Sequence, residues 1–190
     1  MLVLIAGLFL FFVPHSVSIY NEPWRDRMAA RLGERQWQGL YSLVALIGLI
    51  LMIYGYNLAR QAPIVIYEPP LTMRHITFVL MLPVFTLLIA TYTPGRIHHS
   101  IKHPMLLATL IWAFAHLLAN GTLADLLLFG AFFVWAAADR MSMSYRIQRP
   151  LPALPATGTN DAIAVVAGLA LYAGFLLGLH HWLFGVPLLK

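Results

Sequence analysis

The chain alternates long apolar runs with short polar stretches. Residues 2–19 (LVLIAGLFLFFVPHSVSI) carry no charge and are long enough to cross a bilayer at about 1.5 Å per residue. They lack the basic start and small-residue cleavage site of a signal peptide, so they predict a retained span. In residues 21–38, Trp24, Met28 and Leu32 recur every four positions among Arg25, Arg27 and Arg31. That pattern predicts a short amphipathic helix on the membrane surface, opened by Pro23 and stopped at Gly33. Apolar runs return at 39–58, which ends near Tyr54 and Tyr56, and at 75–92, where Pro83 predicts a kink. Between them, 61–72 reads as a loop. Residues 104–119 are short for a crossing. Asn120-Gly121 predicts a turn into 122–138, so these two segments read as a tight antiparallel hairpin. Residues 139–161 form a polar connector with Pro150, Pro152 and Pro155. The last run is 162–186, where Gly174 and Gly178 with Ala170 predict a face packed closely on another helix.

The expected fold is therefore all-α, a polytopic transmembrane helix bundle of about six spans, forming one domain over residues 1–190. Composition agrees: 61% of residues are hydrophobic, 10% are charged and the mean hydropathy is +0.78, more apolar sequence than a soluble domain needs. The net charge of +5 does not imply nucleic acid here, because the basic residues lie in short connections, where topology and anionic lipid account for them. The lipid bilayer is the expected partner. Odd-numbered loops carry Arg25, Arg27, Arg31, Arg35, Arg96, Lys102, Arg140, Arg146 and Arg149, against Arg60, Arg74 and Lys190 elsewhere. The excess places the odd loops in the cytoplasm and both termini on the periplasmic side of a bacterial inner membrane. There is no cysteine, which excludes disulfides, thiolate catalysis, Cys-ligated metals and covalent haem attachment.

The chemistry on offer is histidine. Of eight histidines, four lie between Arg96 and Gly121. His98, His99 and His103, beside Arg96 and Lys102, read equally as an interfacial cluster or as contacts to an anionic group. His75, His180 and His181 read as interfacial. His15 and His116 differ, since both lie inside apolar runs, where an ionisable ring is costly without a function or partner. Counted along their helices from opposite faces, they lie roughly 20 Å and 18 Å deep, a match that tilt can complete. Two helices each offering an imidazole suit an axially bis-ligated haem. The alternative is two neutral rings bonded across helices. Around His116, Thr109, Trp112 and Asn120 share a face with small residues, which a flat macrocycle can approach. Pro14 lacks the N–H that would bond the Leu10 carbonyl, and that carbonyl is the expected acceptor for the second nitrogen of His15. Asp125 is expected to cap the fifth span. No H-E-x-x-H motif or carboxylate cluster points to another metal.

The segments HPMLLATLIWAFAHLLANG and LLFGAFFVWAAADR, with FFVPHS, LGERQWQGLYSL and GYNLAR, resemble the NnrU family over most of the chain. That family comprises polytopic bacterial membrane proteins associated with nitrite and nitric oxide reduction in denitrification. It is similar to the plant zeta-carotene isomerase, a haem b protein that isomerises a cis double bond. The isomerase's axial histidines lie in an F-x-x-x-H-S segment and an H-P…I-W-x-x-A-H segment, which correspond here to His15 and His116. The isomerase also has a cysteine three residues before the second histidine, implicated in a redox-linked ligand change. Here that position is Ala113, so ligand-switch chemistry does not carry over.

The resemblance implies haem b held by His15 and His116. Among the basic loop residues, Arg25, Arg96, Lys102 and His103 are the candidates for propionate contacts, the alternative being that they serve only the charge asymmetry of the loops. The resemblance also implies an accessory role in nitrogen-oxide metabolism by redox, sensing or haem handling, with nitric oxide or a polyene as small-molecule ligand and a redox partner or second copy as protein partner. Whether the protein is an enzyme stays open. Rival readings are a haem-dependent polyene isomerase, a membrane methyltransferase and a cofactor-free packing or interaction protein.

Overall fold

Runs of Leu, Ile, Phe and Ala that cannot be hydrated close their backbone hydrogen bonds internally, and the computed structural model is accordingly helical. It describes residues 1–149 and 151–189, so Pro150 of the connector and Lys190 of the charge count lie outside it. The helices are α1 (Leu2–Tyr20), α2 (Glu22–Leu32), α3 (Glu34–Gln61), α4 (Leu71–Met81), α5 (Val84–Tyr92), α6 (Arg96–Ile101), α7 (Pro104–Ala119), α8 (Leu123–Ser142), α9 (Asn160–Gly174) and α10 (His180–Phe184), the last preceded by a π-helical turn at Phe175–Leu179. Among the described residues there is no strand, only an isolated antiparallel bridge between Val65 and Thr122.

Four segments are long and apolar enough to cross a membrane: Leu2–Tyr20, Glu34–Gln61, Leu71–Tyr92 and Asn160–Phe184. Pro104–Ala119 is apolar but shorter. α8 has the length, 20 residues, yet carries Asp125 near its start and Asp139 and Arg140 near its end. The expected count of six crossings is thus approximate. Large apolar side chains such as Phe9, Ile50, Val79 and Leu177 are exposed, as lipid-facing positions must be.

Contacts divide the chain into two units. The first comprises residues 1–69 and 120–148. Here α1 lies on α3 with three glycines removing the space between them. A Cβ at Gly7 would strike the backbone of Met52, one at Gly48 the backbone of Phe11, and one at Gly55 the backbone of Leu4. Close backbone approach of this kind is how membrane helices gain packing energy without a hydrophobic drive. Leu4, Leu8, Met52, Ala59 and Ala124 form the core, covered by Phe11, Phe12, Tyr56 and Phe132. α2 begins with the Asn21 side chain accepting from the Trp24 N–H at 3.1 Å and ends at Gly33, whose φ of 86° explains the glycine. The loop after α3 is tied back by the Ile66 and Tyr67 N–H groups donating to the Gly121 carbonyl at 2.8 and 3.1 Å. Thr122 and Asp125 form the capping box of α8, so the expected cap is present. Asp125, only 5% exposed, also accepts from the Tyr56 hydroxyl at 2.5 Å.

The second unit comprises residues 70–119 and 149–190. Its core is Val84, Leu87 and Ala108, with Trp112 and Ile111 packed on it. The predicted kink is a full break. Because Pro83 has no N–H, the Leu82 N–H turns back to the Val79 carbonyl at 3.2 Å, and the Phe78 carbonyl accepts instead from the Tyr172 hydroxyl of α9 at 2.8 Å. The last span is likewise interrupted, at Gly178. Its close packing is not at Gly174 and Gly178, as the spacing predicts. A Cβ at Gly178 would meet nothing within 4 Å, whereas one at Gly168 would strike the backbone of Thr86. Nor are 104–119 and 122–138 two arms within one unit: α7 packs on α4 and α5, and α8 on α1.

Candidate functional site

His15 belongs to the first unit. A helical side chain leans back over the preceding turn, and His15 Nδ1 meets the carbonyl of Phe11, four residues back, at 2.6 Å. The acceptor is therefore Phe11 and not Leu10: the carbonyl in reach is the ring's own i−4 position, whichever carbonyl Pro14 frees. The imidazole stacks on the Phe11 ring at 4.3 Å and 23°, lies 5.0 Å from Tyr41 of α3, and is edge-on to Trp135 of α8 at 5.7 Å and 89°. Trp135 Nε1 is buried with no hydrogen-bond partner. One turn beyond Trp135, Asp139 binds Arg146 at 2.6 Å, with side chains only 9% and 10% exposed.

His116 belongs to the second unit and repeats the arrangement. Its Nδ1 meets the Trp112 carbonyl, again four residues back, at 2.8 Å, and its ring lies 5.1 Å from the Trp112 indole. Ala113 and Ala115 are fully buried. Thr77 of α4 donates to the Ala115 carbonyl at 2.9 Å, fixing α7 beside the histidine. A carbonyl can only accept, so in both residues Nδ1 carries the proton and the ring lone pair lies on Nε2. That is the tautomer of a metal-ligating imidazole held by an outer partner. A solitary buried indole N–H beside His15 also marks a position where a polar atom of another group belongs.

The remaining expected residues divide. Thr109 donates its hydroxyl to the Met105 carbonyl at 2.9 Å, within its own helix. Arg25 is held by Glu34 at 2.6 Å and Asp26 at 3.2 Å. The Arg96 side chain is 97% exposed and stands 3.9 Å from Asp161. Asp161 in turn accepts from the Arg96 and Ile97 N–H groups at 2.9 and 3.0 Å, capping α6. Lys102, with φ 66° and ψ −50°, is the centre of a γ-turn in which the His103 N–H donates to the Ile101 carbonyl at 2.9 Å. Arg96, Lys102 and His103 thus bracket α6 in the second unit, and Thr109, Trp112 and His116 follow on α7. Asn120 falls in the first unit. Among the described residues, no three His, Asp or Glu side chains converge to hold a metal.

A family model described as NnrU protein matches residues 3–188. The chain belongs to the NnrU family. No curated protein and no solved structure matches it. Within this NnrU chain, sequence reasoning missed Phe11, Tyr41, Trp135, Asp139 and Arg146. Trp135 and Asp139 were legible as an i, i+4 pair at the end of an apolar helix, but Asp139 reads as the start of the connector when the helix is ended at residue 138 and not at Ser142.

Proposed function

We propose that this NnrU-family membrane protein binds haem b with His15 and His116 as axial ligands, and that it serves nitrite and nitric oxide metabolism by redox, sensing or haem handling. One observation carries the reading: two intramembrane imidazoles are prepared alike, each with Nδ1 on the carbonyl of an aromatic residue four positions back. The residues fit the group. Neutral imidazole is the ordinary axial donor of a b-type haem, and Trp135 Nε1 supplies an unanswered donor. Haem supplies one-electron chemistry at iron when bound. The chain's own residues orient the two rings. Arg96, Lys102 and His103 are the cations proposed for the propionates. Arg25 is the weakest of the four original candidates, since Asp26 and Glu34 already answer it.

The proposed setting is a bacterial inner membrane with both termini periplasmic. The absence of native cysteine allows single introduced cysteines near Arg27 and Glu68 to test this by labelling from each side. Polyene isomerisation is the second reading. It rests on an apolar groove of about 380 Å³ along α1, lined by Phe9, Phe12, Val13 and Val17 among others.

The test is a reduced-minus-oxidised absorption spectrum with pyridine haemochrome quantitation on detergent-purified protein, alongside His15→Ala and His116→Ala. Near-stoichiometric haem b with low-spin bands, lost or turned high-spin in either variant, is the expected result. Wild-type protein that stays colourless after haem addition overturns the reading.

A further inference from the structure

Asp139 and Arg146 are a charged pair that the proposed axial ligation does not use. They sit at the end of an apolar helix, 2.6 Å apart and about nine-tenths buried. Such a pair costs desolvation energy that its attraction only partly returns, so it is weak evidence of a stabilising role. Its placement is informative. Asp139 follows Trp135 by four residues and so shares its face of α8, and that face is the one turned to His15. Arg146 returns from beyond the helix end and also contacts Met143 Sδ at 3.4 Å. The Ser142 hydroxyl adds a weak 3.4 Å contact to the carboxylate. Asp139 is thus held by Arg146 one turn along α8 from the indole that meets His15.

We propose that Asp139, anchored by Arg146, is a positioning residue that fixes a negative charge near His15 and holds iron ligated there toward its ferric state. This rests on the haem reading above. A fixed negative charge in a poorly polarisable surrounding stabilises the more positive oxidation state of a nearby metal, and Arg146 holds the carboxylate in place.

The experiment is potentiometric titration of the full-length, haem-loaded protein for wild type, Asp139→Asn, Asp139→Glu and the double variant Asp139→Asn/Arg146→Gln. Asp139→Asn is expected to raise the ferrous-to-ferric ratio at fixed potential about tenfold, equivalent to about 59 mV for a one-electron couple. Asp139→Glu, which keeps the charge, is expected to stay near wild type. The double variant leaves no unpaired charge and is expected to rise by less than Asp139→Asn; it serves if the single variant fails to hold haem. Ala136→Gly, an uncharged destabilising change on the same turn, is expected to leave the potential where it was. An unchanged potential in the charge-removing variants, with low-spin spectra intact, overturns the inference while the haem reading stands. So does a shift in Ala136→Gly as large as in Asp139→Asn. A wild-type protein that takes up no haem defeats the parent reading, and this one with it.

Discussion

The backbone of Phe11 rests against Gly48, with no room between them for a Cβ. Phe11 is also the residue whose carbonyl and ring hold His15. Packing of α1 on α3 and the orientation of the proposed ligand are thus one contact. Gly48→Val is expected to destabilise the protein by about 1–3 kcal/mol through overpacking and to disturb His15 as α1 shifts. Gly39→Ala, where a Cβ would meet nothing within 4 Å, is expected to be neutral or to stabilise by about 0.4–1 kcal/mol. Thermal denaturation in detergent measures both. Equal losses at the two glycines would refute the contact.

Trp135→Phe keeps a ring edge-on to His15 and removes the buried indole N–H. In haem-free protein the change is expected to be neutral or stabilising, because an unpaired buried donor costs about 1–3 kcal/mol. In haem-loaded protein the sign is expected to reverse, with haem transfer to an acceptor globin accelerated about tenfold, near 1.4 kcal/mol. A variant destabilised equally in both forms would show that the indole serves packing alone.

Lys102 has positive φ, and among the described non-glycine residues it is the one that does. The γ-turn it occupies is a strained conformation for a residue with a Cβ. Lys102→Gly is expected to stabilise the protein by about 1 kcal/mol, and Lys102→Ala to leave stability nearly unchanged. Because both remove the ammonium, haem retention in the two variants measures the proposed propionate contact apart from the backbone effect.

Tyr56 and Asp125 join α3 to the start of α8 through a 2.5 Å hydrogen bond on a carboxylate that also accepts from the Thr122 N–H and hydroxyl. A double-mutant cycle on Tyr56→Phe and Asp125→Asn is expected to give a coupling energy of about 1–3 kcal/mol. Additive losses would mean that the tyrosine and the cap act separately.

The existence of the helices was legible because a bilayer-length apolar run has few alternatives to helix. The α2 stop at Gly33 and the cap at Asp125 were legible because they depend on a few neighbouring residues. What escaped depends on partners far along the chain. Gly7, Gly48 and Gly55 look no different in sequence from Gly174 and Gly178, yet the former meet a backbone and Gly178 meets nothing. α3 starts at Glu34 and not Gly39, because polar Arg35, Gln36 and Gln38 are compatible with a helix that extends out of an apolar layer. The outer partner of His15 was assigned to Leu10 by reasoning from the proline, whereas side-chain reach selects Phe11. The surroundings of each histidine came only with the tertiary contacts.

The two units are interleaved in sequence, since residues 70–119 intervene before 120–148 return to complete the first. A ribosome therefore makes α1, α2 and α3, then all of α4 to α7, before Trp135 exists to close on His15. Until then the first histidine waits in the membrane with one wall missing. The order of synthesis thus gives the nascent chain an interval in which that ring is open on the α8 side, and cutting the gene at residue 69 yields a fragment that cannot finish either unit.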